Sequence, residues 1–252
     1  MFTRLDSDHK HVSRRSSVYA RNVVAASQPL AAQAGVQILR NGGNAVDAAI
    51  ATAITLTVVE PTMNGIGSDA FVIVSDNHGI HGFNGSGRSP AAWTPERFAG
   101  HDNMPEHGWD TVTVPGAVDT WVQLSDRFGQ LPFEKLFDSA INYAAQGFAV
   151  SPVIAAGWAR AAEEFGYLEG FRTIFMPNGR APTAGEAFQS EAMANTLGEI
   201  ADSRGESFYR GRLASRIVAD AARFDGALTE QDLAEHQGFW TDCIQQDFKE
   251  LT

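Results

Sequence analysis

NGGNAVDAAIATAITLTVVEP, from Asn41 to Pro61, constrains the fold of this chain more than any other stretch. Gly42 and Gly43 stop the helix that precedes them. Asn44 is a good N-cap for the next, and Asp47, three residues on, places a carboxylate where it meets the exposed N–H groups and positive end of a helix. That second helix runs until Glu60 and Pro61 end it. Ala45, Ala48, Ala49, Ala51, Thr52 and Ala53 keep it small on nearly every side, so neighbouring elements can approach closely and the helix is expected to be buried.

The flanks extend the pattern from Asn22 to Pro90 as strand, helix, glycine break, helix, glycine turn and hairpin. Asn22 to Ala26 is expected as a short strand. Leu30 to Arg40 has apolar residues at helical spacing, with Pro29 in the first turn, where a missing N–H costs nothing. NGIGSDAF, Asn64 to Phe71, is the sharpest local motif, because its glycines allow backbone angles and approaches that a Cβ would block. It matches GxGxxA, yet a helix precedes it and a β-rich run follows, the reverse of a dinucleotide fingerprint. The Rossmann reading is therefore rejected. Phe71 to Ser75 and Ile80 to Asn84 are expected to pair as a hairpin around DNHG.

Further along, residues 99–110 read as a surface loop, and TVTV at Thr111 to Val114 as a strand entering a turn at Pro115 and Gly116. Trp121, Leu124 and Phe128 fall on one helical face. Phe133, Leu136, Phe137, Ala140, Ile141 and Ala144 make an apolar stripe opened by Pro132 and closed by Gly147. Ser151 caps a helix with Pro152 at its first position. Residues 165–186 read as loop with a short hairpin, helices return near Ser190 to Arg204 and Leu213 to Arg223, and Thr229 with Asp232 is a capping pattern. Ile244 to Thr252 is expected to begin a strand.

Composition narrows the function. The chain has 252 residues, 44% of them hydrophobic, and a formal net charge of −11. It can bury a core. With no Lys/Arg run after the N-terminal tail, nucleic acid and anionic membranes are poor candidate partners. Residues 1–21 are polar and basic and lack the apolar core of a secretory signal, so a disordered tail and a cytoplasmic location are expected. No apolar run is long enough to span a bilayer. The single cysteine, Cys243, has no internal partner for a disulfide.

Taken together, VVAASQPLAAQAGVQILRNGGNAVDAAIA, VVEPTMNGIGSDAF, GRSPAAWTPERF, VPGAVDTW, FEKLFDSAINYAAQGFAVS, SFYRGRLASRI and GALTEQDLAEH resemble, in the same order, the large subunit of the gamma-glutamyltranspeptidase family of N-terminal-nucleophile hydrolases. The resemblance covers residues 22–252. It implies an α+β fold, a four-layer αββα sandwich that is incomplete here because the chain stops before the small subunit. It also implies a precursor that cuts itself in two, whose new N-terminal threonine attacks a γ-glutamyl amide with its own α-amino group as base. On that pattern the nucleophile is expected downstream of Thr252, and this chain alone is expected to be inactive.

The resemblance implies one site residue here. Arg88 is the candidate for holding the substrate carboxylate, since a guanidinium fork suits that group. It stands closer to Pro90 than the family arginine does, and Ser86 takes the usual position. Where the family has four glycines in a row, this chain has Gly67, Ser68, Asp69 and Ala70, which adds a charge. The pattern is also similar to the cephalosporin or glutaryl acylase branch, whose acyl groups lack the amino acid end.

From the residues alone, Arg88 reads as an exposed loop arginine, Asp47 and Asp69 as helix or turn caps, and Ser86 as a turn serine without the glycine elbow of a hydrolase nucleophile. Glu163 and Glu164 read as a solvated helix face. His78 and His81 lack further ligands at metal spacing, and Cys243 lacks the setting of a nucleophile. No cofactor and no metal is implied. Three readings follow: a γ-glutamyl hydrolase or transpeptidase acting on glutathione-type substrates, with its own small subunit as partner; an acylase acting on glutaryl-type amides; or a non-catalytic scaffold module.

Overall fold

The computed structural model describes residues 18–247. Most of the expected disordered tail, 1–21, and the end of the expected final strand lie outside the described residues.

Helix α2 (Ala45–Val59) is the interior pillar that its small residues require. Ile50, Ala51, Ile54, Val58 and Val59 are buried in one core with residues of α1 (Pro29–Arg40), α3 (Ala117–Phe128) and α4 (Asp138–Gln146). The closeness is measurable at Gly35 of α1, where an added Cβ would come within 2.3 Å of Thr52 Oγ1. Three buried threonines satisfy their hydroxyls on the helix itself: Thr52 and Thr55 donate to the carbonyls of Ala48 and Ala51, and Thr57 to that of Ile54, all at 2.7 Å. A helix so lined buries polar groups without needing outside partners.

Both ends of this pillar are tied down. At its start Asn44 and Asp47 form a full capping box. Asp47 is wholly buried and also accepts from the backbone N–H groups of Gln130 and Leu131, while Asn44 Nδ2 donates to Phe128 O at 2.6 Å. At its end the buried carboxylate of Glu60 accepts from Ser27 Oγ and from Asn64 Nδ2. Helix α1 is capped by the side chain of Gln28, which accepts from the N–H groups of Leu30 and Ala31.

The sheet has three antiparallel strands in the order β1 (Ala70–Asp76), β2 (Gly79–Gly85), β5 (Phe239–Thr241). Register pairs Val72 with Phe83 and Phe83 with Trp240 on the face that meets the helices. Phe83 and Trp240 pack edge to face at 4.8 Å, and the Arg127 guanidinium lies 4.0 Å above Trp240. The opposite face carries Phe71, Ile73, Ile80 and Phe239, each at least half exposed. A two-stranded pairing of β3 (Phe148–Ala149) with β4 (Ala187–Phe188) closes α5 (Pro152–Phe165) and α6 (Glu169–Phe175) into a second corner. Helices α7 (Glu191–Ser203), α8 (Glu206–Arg210), α9 (Arg212–Arg223) and α10 (Glu230–Ala234) complete the chain.

The structure corrects several expectations. Asn22 to Ala26 and Thr111 to Val114 are not strands, because neither finds a ladder partner: Val114 makes one backbone bond, to Arg88 O, and the path turns away. Residues 133–137 form a 3-10 turn before α4 begins. Within 165–186 there is a helix, α6, stabilised by the aromatic contacts of Phe171 and Phe175 with Phe165 and Trp158 and by Trp158 Nε1 donating to Phe175 O at 2.9 Å. The late strand is β5 at 239–241, and residues 244–247 are not in a strand.

Candidate functional site

Arg88 follows the end of β2 and lies on an exposed loop whose backbone is fixed at successive points. Asn84 Oδ1 accepts from both the N–H and the hydroxyl of Ser86, at 2.9 and 2.7 Å, which makes Ser86 the expected turn residue. Gly87 N–H donates to Asp69 Oδ1 at 3.0 Å, and Arg88 O accepts from Val114 N–H at 3.0 Å. Beyond it, Ala91 N–H donates to Asp232 Oδ1, the carboxylate that also closes the capping box of α10. The guanidinium makes no ion pair or side-chain hydrogen bond among the described residues, so a rigid loop presents an uncommitted cation to solvent.

Glycine is required where this loop meets the start of α3. A Cβ at Gly87 would lie 1.5 Å from Val114 O, and one at Gly116 would lie 1.8 Å from Gly85 O. Among the described residues no side chain caps helix α3; Ser68 O accepts from Gly116 and Ala117 N–H at 3.1 and 2.8 Å instead. Asp119 N–H donates to Tyr209 Oη at 3.0 Å, and Tyr209 in turn donates to Pro115 O at 2.8 Å. Burial pushes the Tyr209 phenol well above its ordinary value, so it serves as a neutral bridge.

Beneath the loop, His236 stacks on Tyr209 at 5.4 Å with its Nε2 buried and without a hydrogen-bond partner among the described residues. Burial lowers its pKa below 6.5, with the nearby carboxylates of Asp119 and Asp69 opposing and Arg88 assisting. The unfolded chain therefore takes up this proton first. Stability from a neutral His236 is fully present above pH 6.5 and is lost as the pH falls toward the depressed value. The thermal midpoint of the full-length protein is expected to drop below that pH, and a His236→Phe variant is expected to flatten the slope; an unchanged slope would count against this role.

Of the residues singled out from the sequence, Arg88, Asp69 and Ser86 come together here, whereas Asp47 is a structural cap far along the chain fold and Glu163 and Glu164 are exposed on α5. Tyr209, His236 and Asp119 were not singled out, since only the folded backbone brings them to this place. Among the described residues no group of three His, Cys, Asp or Glu could hold a metal ion, and no helix is long and apolar enough to cross a membrane.

The family model described as Gamma-glutamyltranspeptidase matches residues 31–252. The chain belongs to the gamma-glutamyltranspeptidase family. It is 34% identical over 238 residues to the Glutathione hydrolase-like YwrD proenzyme of Bacillus subtilis, a match covering 93% of this chain and 45% of that protein. Among solved structures it superposes on the cephalosporin acylase from Bacillus halodurans with a TM-score of 0.92 and 45% identity, over 97% of this chain and 47% of the other. On Helicobacter pylori gamma-glutamyltranspeptidase the TM-score is 0.86 and the identity 27%, over 91% and 68% of the two chains. The expected α+β fold of N-terminal-nucleophile hydrolases is the fold observed, and the chain spans about half the length of the curated relative it matches.

Proposed function

We propose that this chain is the large-subunit part of a self-processing gamma-glutamyltranspeptidase family enzyme that cleaves γ-glutamyl amides of the glutathione type. The observation that carries the reading is the Arg88 guanidinium, without an ion-pair partner among the described residues, on a loop fixed by Asp69, Val114 and Asp232. A guanidinium held this way suits the α-carboxylate of a glutamyl group, with two parallel N–H donors for two oxygens. The names of several relatives as glutathione hydrolase proenzymes support the substrate class and the precursor.

In this reading the chemistry is completed by the small subunit. The threonine hydroxyl attacks the γ-carbonyl carbon, its proton passes through the α-amino group to the departing amine, and the resulting glutamyl ester is resolved by water or by an acceptor amine. The chain described here contributes the grip on the acyl end, which lowers the entropy cost of bringing carbonyl and hydroxyl together. The exposed apolar sheet face at Phe71, Ile73, Ile80 and Phe239 supports a second sheet from the small subunit as its cover.

A second reading, an acylase for glutaryl-type amides, is favoured by the 45% identity to the cephalosporin acylase and by Ser86 in the usual arginine position. Glutaryl groups keep the carboxylate and lack the amine. The full reading frame should therefore be expressed and compared on γ-glutamyl anilide and glutaryl anilide. Faster release from the γ-glutamyl compound is expected; turnover of glutaryl anilide alone would replace the first reading with the second.

A further inference from the structure

We infer that Asp69 is a positioning residue that sets the Arg88 loop by standing in for a missing rung of the β ladder. The inference rests on the reading of Arg88 as the carboxylate-binding group. Strands β1 and β2 pair down to Ala70 with Gly85, and two more residues along each strand in the same register would set Ser68 opposite Gly87. The Ser68 carbonyl is not available to that partner, because it is turned toward α3 and accepts from Gly116 and Ala117. The Gly87 N–H goes to the Asp69 side chain instead, at 3.0 Å.

Among the described residues, residue 87 makes no other hydrogen bond of its own. It carries no side chain, and none would fit, since Val114 O occupies the space a Cβ needs. Together with the bond from Val114 N–H to Arg88 O, the bond from its N–H sets the direction in which the next residue, Arg88, leaves the loop. Asp69→Gly would leave this donor without its acceptor and remove one of the bonds that fix the loop, the one nearest Arg88 on its N-terminal side. The role needs an acceptor oxygen and not a charge, so asparagine is expected to replace aspartate where alanine is not.

The test uses the full-length, self-processed protein. Asp69→Ala is expected to raise KM for γ-glutamyl anilide, and the inhibition constant of free glutamate, by about ten-fold, with kcat within about two-fold and both subunits present on a gel. Asp69→Asn is expected to recover most of both losses. An unchanged KM in Asp69→Ala, an Asp69→Asn as impaired as the alanine variant, or a loss confined to kcat would overturn the assignment. Independently of any variant, the Gly87 amide of the wild-type protein is expected to exchange slowly with deuterium; fast exchange would overturn it too. A wild type inactive on every carboxylate-bearing anilide would remove the reading of Arg88 together with this inference, whereas an active wild type with an indifferent Asp69→Ala would remove the inference alone.

Discussion

Asp47→Ala is expected to destabilise the full-length protein by roughly 3–5 kcal/mol, the cost of removing a wholly buried carboxylate that holds three partly buried N–H donors at once. The Asp47 carboxylate is fully buried and accepts from the N–H groups of Asn44, Gln130 and Leu131, at 3.0 to 3.2 Å. It joins the start of α2 to the segment that leaves α3, and Asn44 Nδ2 bonded to Phe128 O ties the same two places. Asp47→Asn keeps one acceptor oxygen and should cost about half as much. Urea titration checks both, through a lower midpoint at an unchanged slope; a loss below about 1 kcal/mol for the alanine variant would show that the cap is dispensable.

Arg88→Ala should act on a different quantity. Its guanidinium is exposed and makes no ion pair or side-chain hydrogen bond among the described residues, so folding stability should stay the same within about 0.5 kcal/mol. KM for γ-glutamyl anilide should rise by roughly 30- to 100-fold, the range for losing charge-assisted bonds to a carboxylate. In the proposed role the acyl end is gripped equally before and during bond making, so kcat should move little. Arg88→Lys should recover part of the affinity, since a point charge replaces a fork. Steady-state kinetics read all three; a KM unchanged in Arg88→Ala would remove Arg88 from the site.

What could be read from the sequence was local. The small-residue helix with its Asn44 and Asp47 cap, the hairpin from β1 to β2 and the Thr229 and Asp232 capping box are each specified by neighbours in the chain, and each is present. What was missed is tertiary. NVVAA at 22–26 and TVTV at 111–114 look like strands until one asks for a partner. Helix α6 lies in a stretch punctuated by glycine and proline, and its aromatic contacts with Trp158 join residues far apart in the chain. The site divides in the same way. Arg88 and Asp69 were visible as residues, but the bond from Gly87 to Asp69 depends on where Ser68 spends its carbonyl, and Tyr209 and His236 reach the place only through α8 and the segment after α10.

The central claim is that this chain holds the acyl end of a γ-glutamyl amide for a threonine carried on its own small subunit. Intact-mass analysis of the matured full-length protein, quenched during turnover of a γ-glutamyl substrate, tests it directly. Two chains are expected, the smaller beginning with threonine and gaining one γ-glutamyl group. A single uncut chain, or a smaller chain that never carries the acyl group, would contradict it.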